Sequence, residues 1–360
     1  MSATPIILSG SVEGSFPYLT LKDRKPVILT RIVDYLSRHK GLLAERYGEE
    51  SMEEIKLLTE SIAQLKYELV TDKPMKPLVN DVLGDMKLWN QVLEEGTEEK
   101  TFFSVQWLLA DALWGNQFDL SLSSGSVSSE KMSDQQCHAH RRDDIVINEL
   151  DAAVRFVKTF RECPSPGIIR YVLDNAGLEL FWDLVLADYL LTQGFCSQVI
   201  FYPKAIPWFV SDVLKEDIDW LLDHGSLRDL GKRWKRNFQE GRFKVCVNKF
   251  FTLPHAFMDM KTVAPELYNE LASSAMIVFK GDLNYRKLLG DCSWDPPTVP
   301  FACALRGFNP APFLVLRTCK APLIAGIGSM SLYRELKEAD PNWLVKDTIF
   351  GKFLFLKKMK

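Results

Sequence analysis

The sequence predicts an α/β protein: a three-layer α/β/α sandwich around a mostly parallel sheet, with an all-helical N-terminal subdomain. Two observations lead to this prediction. Before about residue 165, apolar residues recur at helical spacing and no convincing strand is found. From residue 167 onward, short apolar runs of strand character alternate with helical segments. Such alternation is typical of a parallel sheet covered by helices on both faces.

The N-terminal part contains segments in which an apolar face lies opposite charged residues, as in amphipathic helices. They are LTRIVDYLSRHKGLLAERYG, SMEEIKLLTESIAQLKYELV, PLVNDVLGDMKLWNQVLEE and FFSVQWLLADALWGN. A polar, Ser-rich stretch follows, which predicts an exposed, mobile loop over residues 121–146. The predicted organisation is therefore a helical subdomain over 1–120, this loop, and an α/β catalytic domain over 147–360.

The α/β part is predicted from strands and helices in alternation. The predicted strands are IIRYVL, SQVIFYP, FKVCV, SAMIVFK, APFLVLRT and PLIAGIG. The predicted helices are GLELFWDLVLADYLL, VSDVLKEDIDWLLDHG, APELYNELA, DLNYRKLLG and SLYRELKEA. The strands are apolar throughout, so we expect a sheet buried on both faces.

Composition and charge exclude several classes of protein. The net charge is −3, which gives no basic surface for nucleic acid. No signal peptide and no apolar run long enough to cross a membrane is found, so we expect no membrane partner. Seven cysteines are scattered without a CxxC pair, which predicts reduced thiols and a cytoplasmic, or also nuclear, location.

Three common catalytic signatures are missing. The sequence lacks the GxxxxGK[ST] phosphate-binding loop, a complete GxGxxG after a strand, and the GxSxG nucleophile motif. The CHAH stretch contains Cys137, His138 and His140, but a flexible polar loop without a fourth ligand nearby is a weak metal signal. We therefore interpret it as loop sequence.

Polar residues follow the predicted strands at points where ligands bind in open parallel sheets. Asp174 and Asn175 follow IIRYVL, and Asp212 comes soon after SQVIFYP. These side chains offer only oxygen donors, which suit Mg²⁺ or Mn²⁺. For Asp174 or Asn175 taken alone, helix capping is the favoured explanation, since such residues accept a bond from an orphan helix amide. For the pair together with Asp212, capping and metal binding are close to even.

Acidic residues also occur in the helix that follows. Glu179 and Asp183 are four residues apart in a segment that is otherwise almost entirely apolar, so we expect this helix to be buried. Buried acids need a partner or a raised pKa. Glu179 lies within reach of the same pocket, although a salt bridge at the helix start explains it too.

Cationic residues follow the other strand ends. Lys280 and Asp282 come after SAMIVF, and Arg317 and Lys320 come after PFLVL. Lysine and arginine near helix N-termini bind phosphate oxygens, although a lone surface cation usually forms an ordinary ion pair. Carboxylates for a metal ion and cations for phosphate at one sheet edge point to phosphoryl chemistry.

A family resemblance rests on the same residues. VLDNAGLEL, IPWFVSD, FKGDLNYRKLLGD and RTCK together resemble the metal-dependent damage-control phosphatases, catalogued as domain of unknown function eighty-nine, and RTCK resembles the RTxK subfamily. The match runs along nearly the whole chain. It implies a phosphatase supported by Mn²⁺ or Ni²⁺, with Mg²⁺ or Co²⁺ as further options, acting on sugar phosphates such as fructose 1-phosphate and fructose 6-phosphate.

The resemblance also implies roles for individual residues. Asp174, Asn175 and Asp212 match metal ligands, and Asp174, Asp212 and Lys320 match catalytic positions. The positions that match substrate-binding residues are Asp174, Asn175, Asp282, Leu283, Asn284, Tyr285, Arg286 and Lys320. An S-adenosylmethionine-dependent methylation of protein glutamates is attributed to the same pocket, with Glu179 and Asp212 at the cofactor. The sequence shows no methyltransferase fingerprint, so that activity ranks second.

The chain departs from the family in its helical region. Members of the family have a longer helical stretch between the segments that match FFSVQWLL and ALWGNQFDLSL, which are joined directly here at WLLADALWGN. The catalytic motifs are intact, but the helical cap is predicted to be shortened. A third alternative is therefore a catalytically weak, shortened form that acts as an interaction protein.

Overall fold

The structure, a computed structural model, describes residues 6–7, 16–70, 98–115, 145–209, 211–224, 227–345 and 351–356. Almost all of the predicted Ser-rich loop, including Cys137, His138 and His140, lies outside these residues, as does the predicted helix over 77–95. The chain divides into two compact units. The larger unit comprises Met1–Ile7, Gly84–Asp119 and Ser128–Lys360, and the smaller unit comprises Leu8–Leu83 and Leu120–Val127.

The described part of the smaller unit is helical, as predicted. Its elements are α1 (Phe16–Leu19), a π-helical turn (Thr20–Arg24), α2 (Lys25–Tyr47) and α3 (Ser51–Val70). Pro26 lies in the first turn of α2, where a missing amide proton costs no helical bond. The helix ends at Gly48, whose φ of +96° suits glycine. α2 and α3 pack against each other.

The larger unit contains the sheet and its covering helices. Its strands are β1 (Ile6–Ile7), β2 (Ile145–Asn148), β3 (Ile168–Val172), β4 (Gln198–Tyr202), β5 (Phe243–Val245), β6 (Met276–Lys280), β7 (Cys292–Ser293), β8 (Phe313–Thr318) and β9 (Gly351–Leu356). Its helices are α4 (Glu98–Trp114), α5 (Leu150–Lys158), α6 (Leu178–Thr192), α7 (Lys215–Asp223), α8 (Arg228–Gln239), α9 (Met260–Val263), α10 (Pro265–Ala272), α11 (Gly281–Leu288), α12 (Phe301–Ala304) and α13 (Met330–Ala339).

The main sheet is mostly parallel, as predicted. Its described strands follow the order β2-β9-β8-β6-β3-β4-β5, and β1 forms a separate antiparallel pair with β7. The strands from β8 to β5 are parallel neighbours, while β9 is antiparallel to β8 and parallel to β2. The carboxyl ends of β3, β4, β6 and β8 therefore lie at one edge of the sheet. None of the described helices has the length and apolar character needed to cross a bilayer.

Helices cover both faces of the sheet, which confirms the three-layer α/β/α prediction. Successive strand residues point to opposite faces. Tyr171 and Val278 belong to a core that includes apolar residues of α4, α5, α6, α7 and α8. On the other face, Phe279 and Phe313 are part of an aromatic cluster with Phe257 and Phe308. The site described below lies at the edge of these two layers.

Several predicted elements are wrong in detail. β1 and β2 occur before residue 165, where no strand is predicted, because strands of two and four residues show too little alternation. The predicted strand PLIAGIG is a loop instead. β8 already has β6 on one side and β9 on the other, so this segment has no open position beside β8. α4, grouped by sequence with the N-terminal helices, packs on α5, α6, β8 and β9.

Candidate active site

The three predicted metal ligands lie together at the carboxyl edge of the sheet. Asp174 and Asn175 follow β3, and Asn175 forms an isolated antiparallel bridge with Asp212, which lies in the segment between β4 and α7. The amide of Val213 donates to the Asp174 carbonyl at 2.8 Å, which fixes the two segments side by side. Asp174, Asn175 and Asp212 are 5%, 4% and 7% exposed. The structure thus joins residues that are far apart in sequence.

Asn175 does not cap the helix that follows it, so the capping explanation is wrong for this residue. α6 begins at Leu178, and its N-cap is Gly177, which makes no side-chain cap bond. The Asn175 amide instead donates to Asp174 Oδ2 at 3.0 Å and to Glu179 Oε2 at 2.8 Å. Its Oδ1 accepts from the Ser211 hydroxyl at 2.7 Å. These bonds orient the side chain within the site.

Asp174 lies among other acids in a buried environment. Burial raises the pKa of Asp174 well above its usual value, and the charges of Asp212 and Glu179 raise it further. The charges of Lys204 and Lys320 oppose this rise. Clustered buried carboxylates repel each other unless a cation neutralises them. A bound cation would relieve this repulsion.

Lys204 is a site residue that the sequence interpretation missed. It follows β4 by two residues and its side chain is fully buried. Its Nζ lies 3.0 Å from Asp212 Oδ2 and donates to the Leu173 carbonyl at 2.6 Å. A lysine just beyond the carboxyl end of a predicted parallel strand is the same signal that identifies Asp174, so the sequence contained it.

Glu179 and Asp183 are buried, as predicted, and share one lysine. The Nζ of Lys280, the last residue of β6, lies 3.3 Å from Glu179 Oε1 and 2.9 Å from Asp183 Oδ1. It also donates to the Ala112 carbonyl of α4. Burial raises the pKa of Asp183 to about 7 despite this lysine. Glu179 is 1% exposed, which does not favour contact with a cofactor such as S-adenosylmethionine.

Asp282 and Lys320 are also brought to this edge. The carboxylate of Asp282 lies in the first turn of α11 and accepts from Arg317 Nε at 2.7 Å and from the Lys320 amide at 3.2 Å. Lys320 is 6% exposed, and its charge acts on Asp174. Arg317 itself is fully buried within β8. Lys320 is therefore a cation of the carboxylate site.

The remaining predicted substrate-binding residues of α11 make mainly structural contacts. Asn284 donates to the carbonyls of Lys280, Val172 and Leu173, and the Tyr285 hydroxyl bonds the backbone of Ala325. Arg286, at the other end of α11, forms a bidentate pair with Asp291, with both distances 2.7 Å. Leu283 is half-buried.

The donor set fits a hard divalent cation. The described part of the chain contains no group of three or more His, Cys, Asp or Glu side chains placed to hold one ion. The residues that would hold such an ion are Asp174, Asp212 and Asn175, the last through its side-chain oxygen. Mg²⁺-type sites use one or two carboxylates in this way. Asn175 Oδ1 has a second lone pair beyond its bond from Ser211.

The family model and the curated relatives that match this chain name the same family. The model of the Damage-control phosphatase ARMT1-like domain matches residues 86–336. Damage-control phosphatase ARMT1 of Mus musculus is 35% identical, with 96% of this chain and 97% of that protein covered. The Homo sapiens protein is 34% identical, with 95% and 97% covered. The Danio rerio protein is 33% identical, with 94% of each covered.

Two further comparisons concern length and structure. The alignment with the mouse protein spans 428 positions, more than the 360 residues of this chain, so the mouse protein contains residues that have no counterpart here. Among solved structures, a DUF89 family protein from Pyrococcus horikoshii is 15% identical over 72% of this chain and 74% of that one, with a TM-score of 0.35. The family model and the curated relatives show that the chain belongs to the ARMT1-like damage-control phosphatase family, as its motifs predict, and that its enzyme class is that of a phosphatase.

Proposed function

We propose that the protein is a metal-dependent phosphomonoesterase. Its proposed substrates are small sugar phosphates such as fructose 1-phosphate and fructose 6-phosphate. The proposed ion is Mn²⁺ or Ni²⁺, with Mg²⁺ or Co²⁺ as substitutes. We also propose that it works in the cytoplasm or nucleus, where free thiols stay reduced. The observation that carries the proposal is the buried juxtaposition of Asp174, Asn175 and Asp212, with Lys320 acting on Asp174.

The carboxylate group supports the metal-binding half of the proposal. Asp174, Asn175 and Asp212 would hold the ion through their side-chain oxygen atoms. The bound ion would supply Lewis-acid polarisation of the phosphoryl group. Asn175 keeps the site in register because its amide joins Asp174 to Glu179. Lys204 keeps Asp212 directed toward the same edge through its ion pair at 3.0 Å.

Lys320 supports the phosphate-binding half. Its side chain is buried, and its charge acts on the carboxylate beside which the phosphate would lie. An ammonium group in a site with little water stabilises the charge that develops on phosphate oxygens. In this proposal, this edge of the sheet binds the phosphate, compensates its charge and excludes water. The sugar-phosphate class itself follows from the family resemblance.

The proposal is tested by phosphate release from fructose 1-phosphate in the presence of Mn²⁺. We expect turnover by the wild type and a decrease in kcat/KM of roughly 100-fold or more in Asp174→Asn, which keeps the side-chain shape and removes the charge. Mn²⁺ binding, measured by electron paramagnetic resonance, should weaken in the same variant. Asp219→Asn, which changes an exposed aspartate of α7, is the matched control and should behave as the wild type.

Two results would contradict the proposal. Undiminished turnover by Asp174→Asn would remove the carboxylate site from the reaction. Normal Mn²⁺ binding without turnover of any phosphate ester would favour the interaction-protein alternative. Calorimetry with S-adenosylmethionine tests the methyltransferase alternative, which the buried position of Glu179 does not favour.

A further inference from the structure

Arg317 makes an unusual set of contacts for a residue inside a strand. It is the second-last residue of β8 and is fully buried. Its guanidinium donates to the Leu323 carbonyl at 2.9 Å and to the Ala321 carbonyl at 3.0 Å. Both carbonyls belong to the loop that follows β8. The planar, rigid fork of arginine is suited to hold several acceptors at once.

Asp282 contacts both Arg317 and the same loop. Its Oδ1 lies 2.7 Å from both Nε and Nη2 of Arg317, and it also accepts from the backbone amide of Lys320 at 3.2 Å. The peptide on the N-terminal side of Lys320 is thus held by Asp282. The carbonyl of the next residue, Ala321, is held by Arg317.

Tyr285 completes the support of this loop. Its ring lies under the Arg317 guanidinium, 4.0 Å from the ring centroid, and is fully buried. Its hydroxyl accepts from the Ala325 amide at 3.0 Å. Backbone groups of residues 320, 321, 323 and 325 are therefore held by side chains of β8 and α11.

A simpler explanation is that Asp282 only neutralises a buried arginine. Such a pair is weak support for stability by itself, because desolvation offsets most of the attraction. Neutralisation alone does not require bonds from the pair to the backbone on both sides of one lysine. Nor does it account for the position of that lysine, whose amide is bonded to Asp282. Asp282 directly follows Gly281, where an added Cβ would lie 1.8 Å from Asp174 Oδ2.

We propose that Arg317 and Asp282 form a clamp of positioning residues that fixes Lys320 toward the phosphate, and that Asp282 acts through this loop without contacting the sugar. The proposal rests on the proposed function, since it concerns the phosphate-binding lysine of that site. It replaces the sequence interpretation in which Asp282 contacts substrate. The distinguishing consequence is that Arg317 and Asp282 contribute to turnover only while Lys320 is present.

A double-mutant cycle on the full-length chain tests this dependence. Arg317→Lys keeps the charge opposite Asp282 and removes the fork that holds two carbonyls. We expect kcat/KM for fructose 1-phosphate to fall about 10- to 100-fold in Arg317→Lys, by comparison with other residues that orient a functional group. Lys320→Ala should lower it roughly 100- to 1,000-fold. The double variant should match Lys320→Ala within about 3-fold, because coupled residues are not additive.

The same cycle is repeated with Asp282→Asn, which keeps an accepting oxygen and provides a milder change if Arg317→Lys fails to fold. We expect a smaller loss than in Arg317→Lys, and again no further loss once Lys320 is alanine. Losses that multiply in the double variants would overturn the clamp. They would instead show that Asp282 or Arg317 contacts the substrate directly.

Hydrogen exchange tests the clamp independently of turnover. Backbone amides of residues 320–325 should exchange at least about 10-fold faster in Arg317→Lys than in the wild type, because local opening is easier once its bonds are lost. The dissociation constant for Mn²⁺ should stay within about 3-fold, since the described contacts of Arg317 do not include Asp174, Asn175 or Asp212. Unchanged exchange would overturn the clamp, whereas absence of turnover by the wild type would overturn the proposed function alone.

Discussion

At the residue scale, Gly281 allows α11 to begin directly against the carboxylate of Asp174. Its φ is +79°, and an added Cβ would lie 1.8 Å from Asp174 Oδ2 and 2.8 Å from Asp174 Cβ. No heavy atom tolerates such approaches. Glycine is therefore required here both by the backbone conformation and by the space that Asp174 occupies. The position couples the start of α11 to the geometry of the carboxylate site.

Gly281→Ala should disrupt this site. We expect the free energy of unfolding to fall by more than the ~1 kcal/mol that a left-handed conformation costs an alanine. Mn²⁺ binding should weaken by about an order of magnitude or more. Urea denaturation and electron paramagnetic resonance measure the two effects. Gly194→Ala is the matched control, because Gly194 has a φ of +73° and no atom within 4 Å of an added Cβ. Equal behaviour of the two variants would contradict the clash with Asp174.

At the scale of elements, Lys280 joins a strand to two helices. It ends β6, forms ion pairs with Glu179 and Asp183 of α6, and donates to the Ala112 carbonyl of α4. Its side chain is fully buried, and those of the two acids are 1% exposed. Since Glu179 in turn accepts from Asn175, this lysine connects the packing of α4 and α6 to the carboxylate site.

Lys280→Met should destabilise the protein by about 3–5 kcal/mol, because it leaves buried carboxylates without their cation. Urea denaturation at neutral pH measures the change. Lys215→Met removes an exposed lysine of α7 that pairs with Asp219, and should cost less than about 1 kcal/mol. A similar, small loss in both variants would show that the buried ion pairs do not hold these elements together.

At the scale of the whole molecule, stability depends on pH through a buried carboxyl group of α4. Both oxygens of Asp111 are buried without a hydrogen-bond partner among the described residues, and burial raises its pKa from 3.8 to about 7. The folded state therefore binds a proton that the unfolded state releases between these values. The contribution of Asp111 to the free energy of unfolding is fully present below pH 3.8 and is lost as pH rises through about 7.

Asp111→Asn should remove this pH dependence. We expect the free energy of unfolding of the variant, minus that of the wild type, to increase between pH 4 and pH 8. The increase should be at most about 4 kcal/mol, at ~1.4 kcal/mol per pKa unit. Urea denaturation at the two pH values measures the gain. Asp219→Asn controls for loss of a negative charge at the surface. A difference between Asp111→Asn and the wild type that is the same at both pH values would contradict a raised pKa of Asp111.

The sequence by itself determined the fold class and most of the polar residues at the strand ends. Apolar periodicity distinguishes helices from buried strands, and parallel strands bring their carboxyl ends to one edge. Asp174, Asn175, Asp212 and Lys320 could therefore be predicted as neighbours. The short strands β1 and β2 could not, because two to four residues show too little pattern. Nor could the sheet order, which places β9 beside β8.

Only the tertiary structure decided what each polar residue contacts. It excluded Asn175 as a helix cap, added Lys204 to the carboxylates, and placed Asp282 against Arg317. The physical reason is that the sequence specifies which residues reach an edge, whereas hydrogen bonds between segments specify where their side chains point. Those bonds join residues such as Asp282 and Arg317, which are 35 positions apart, and no local pattern encodes such a pairing.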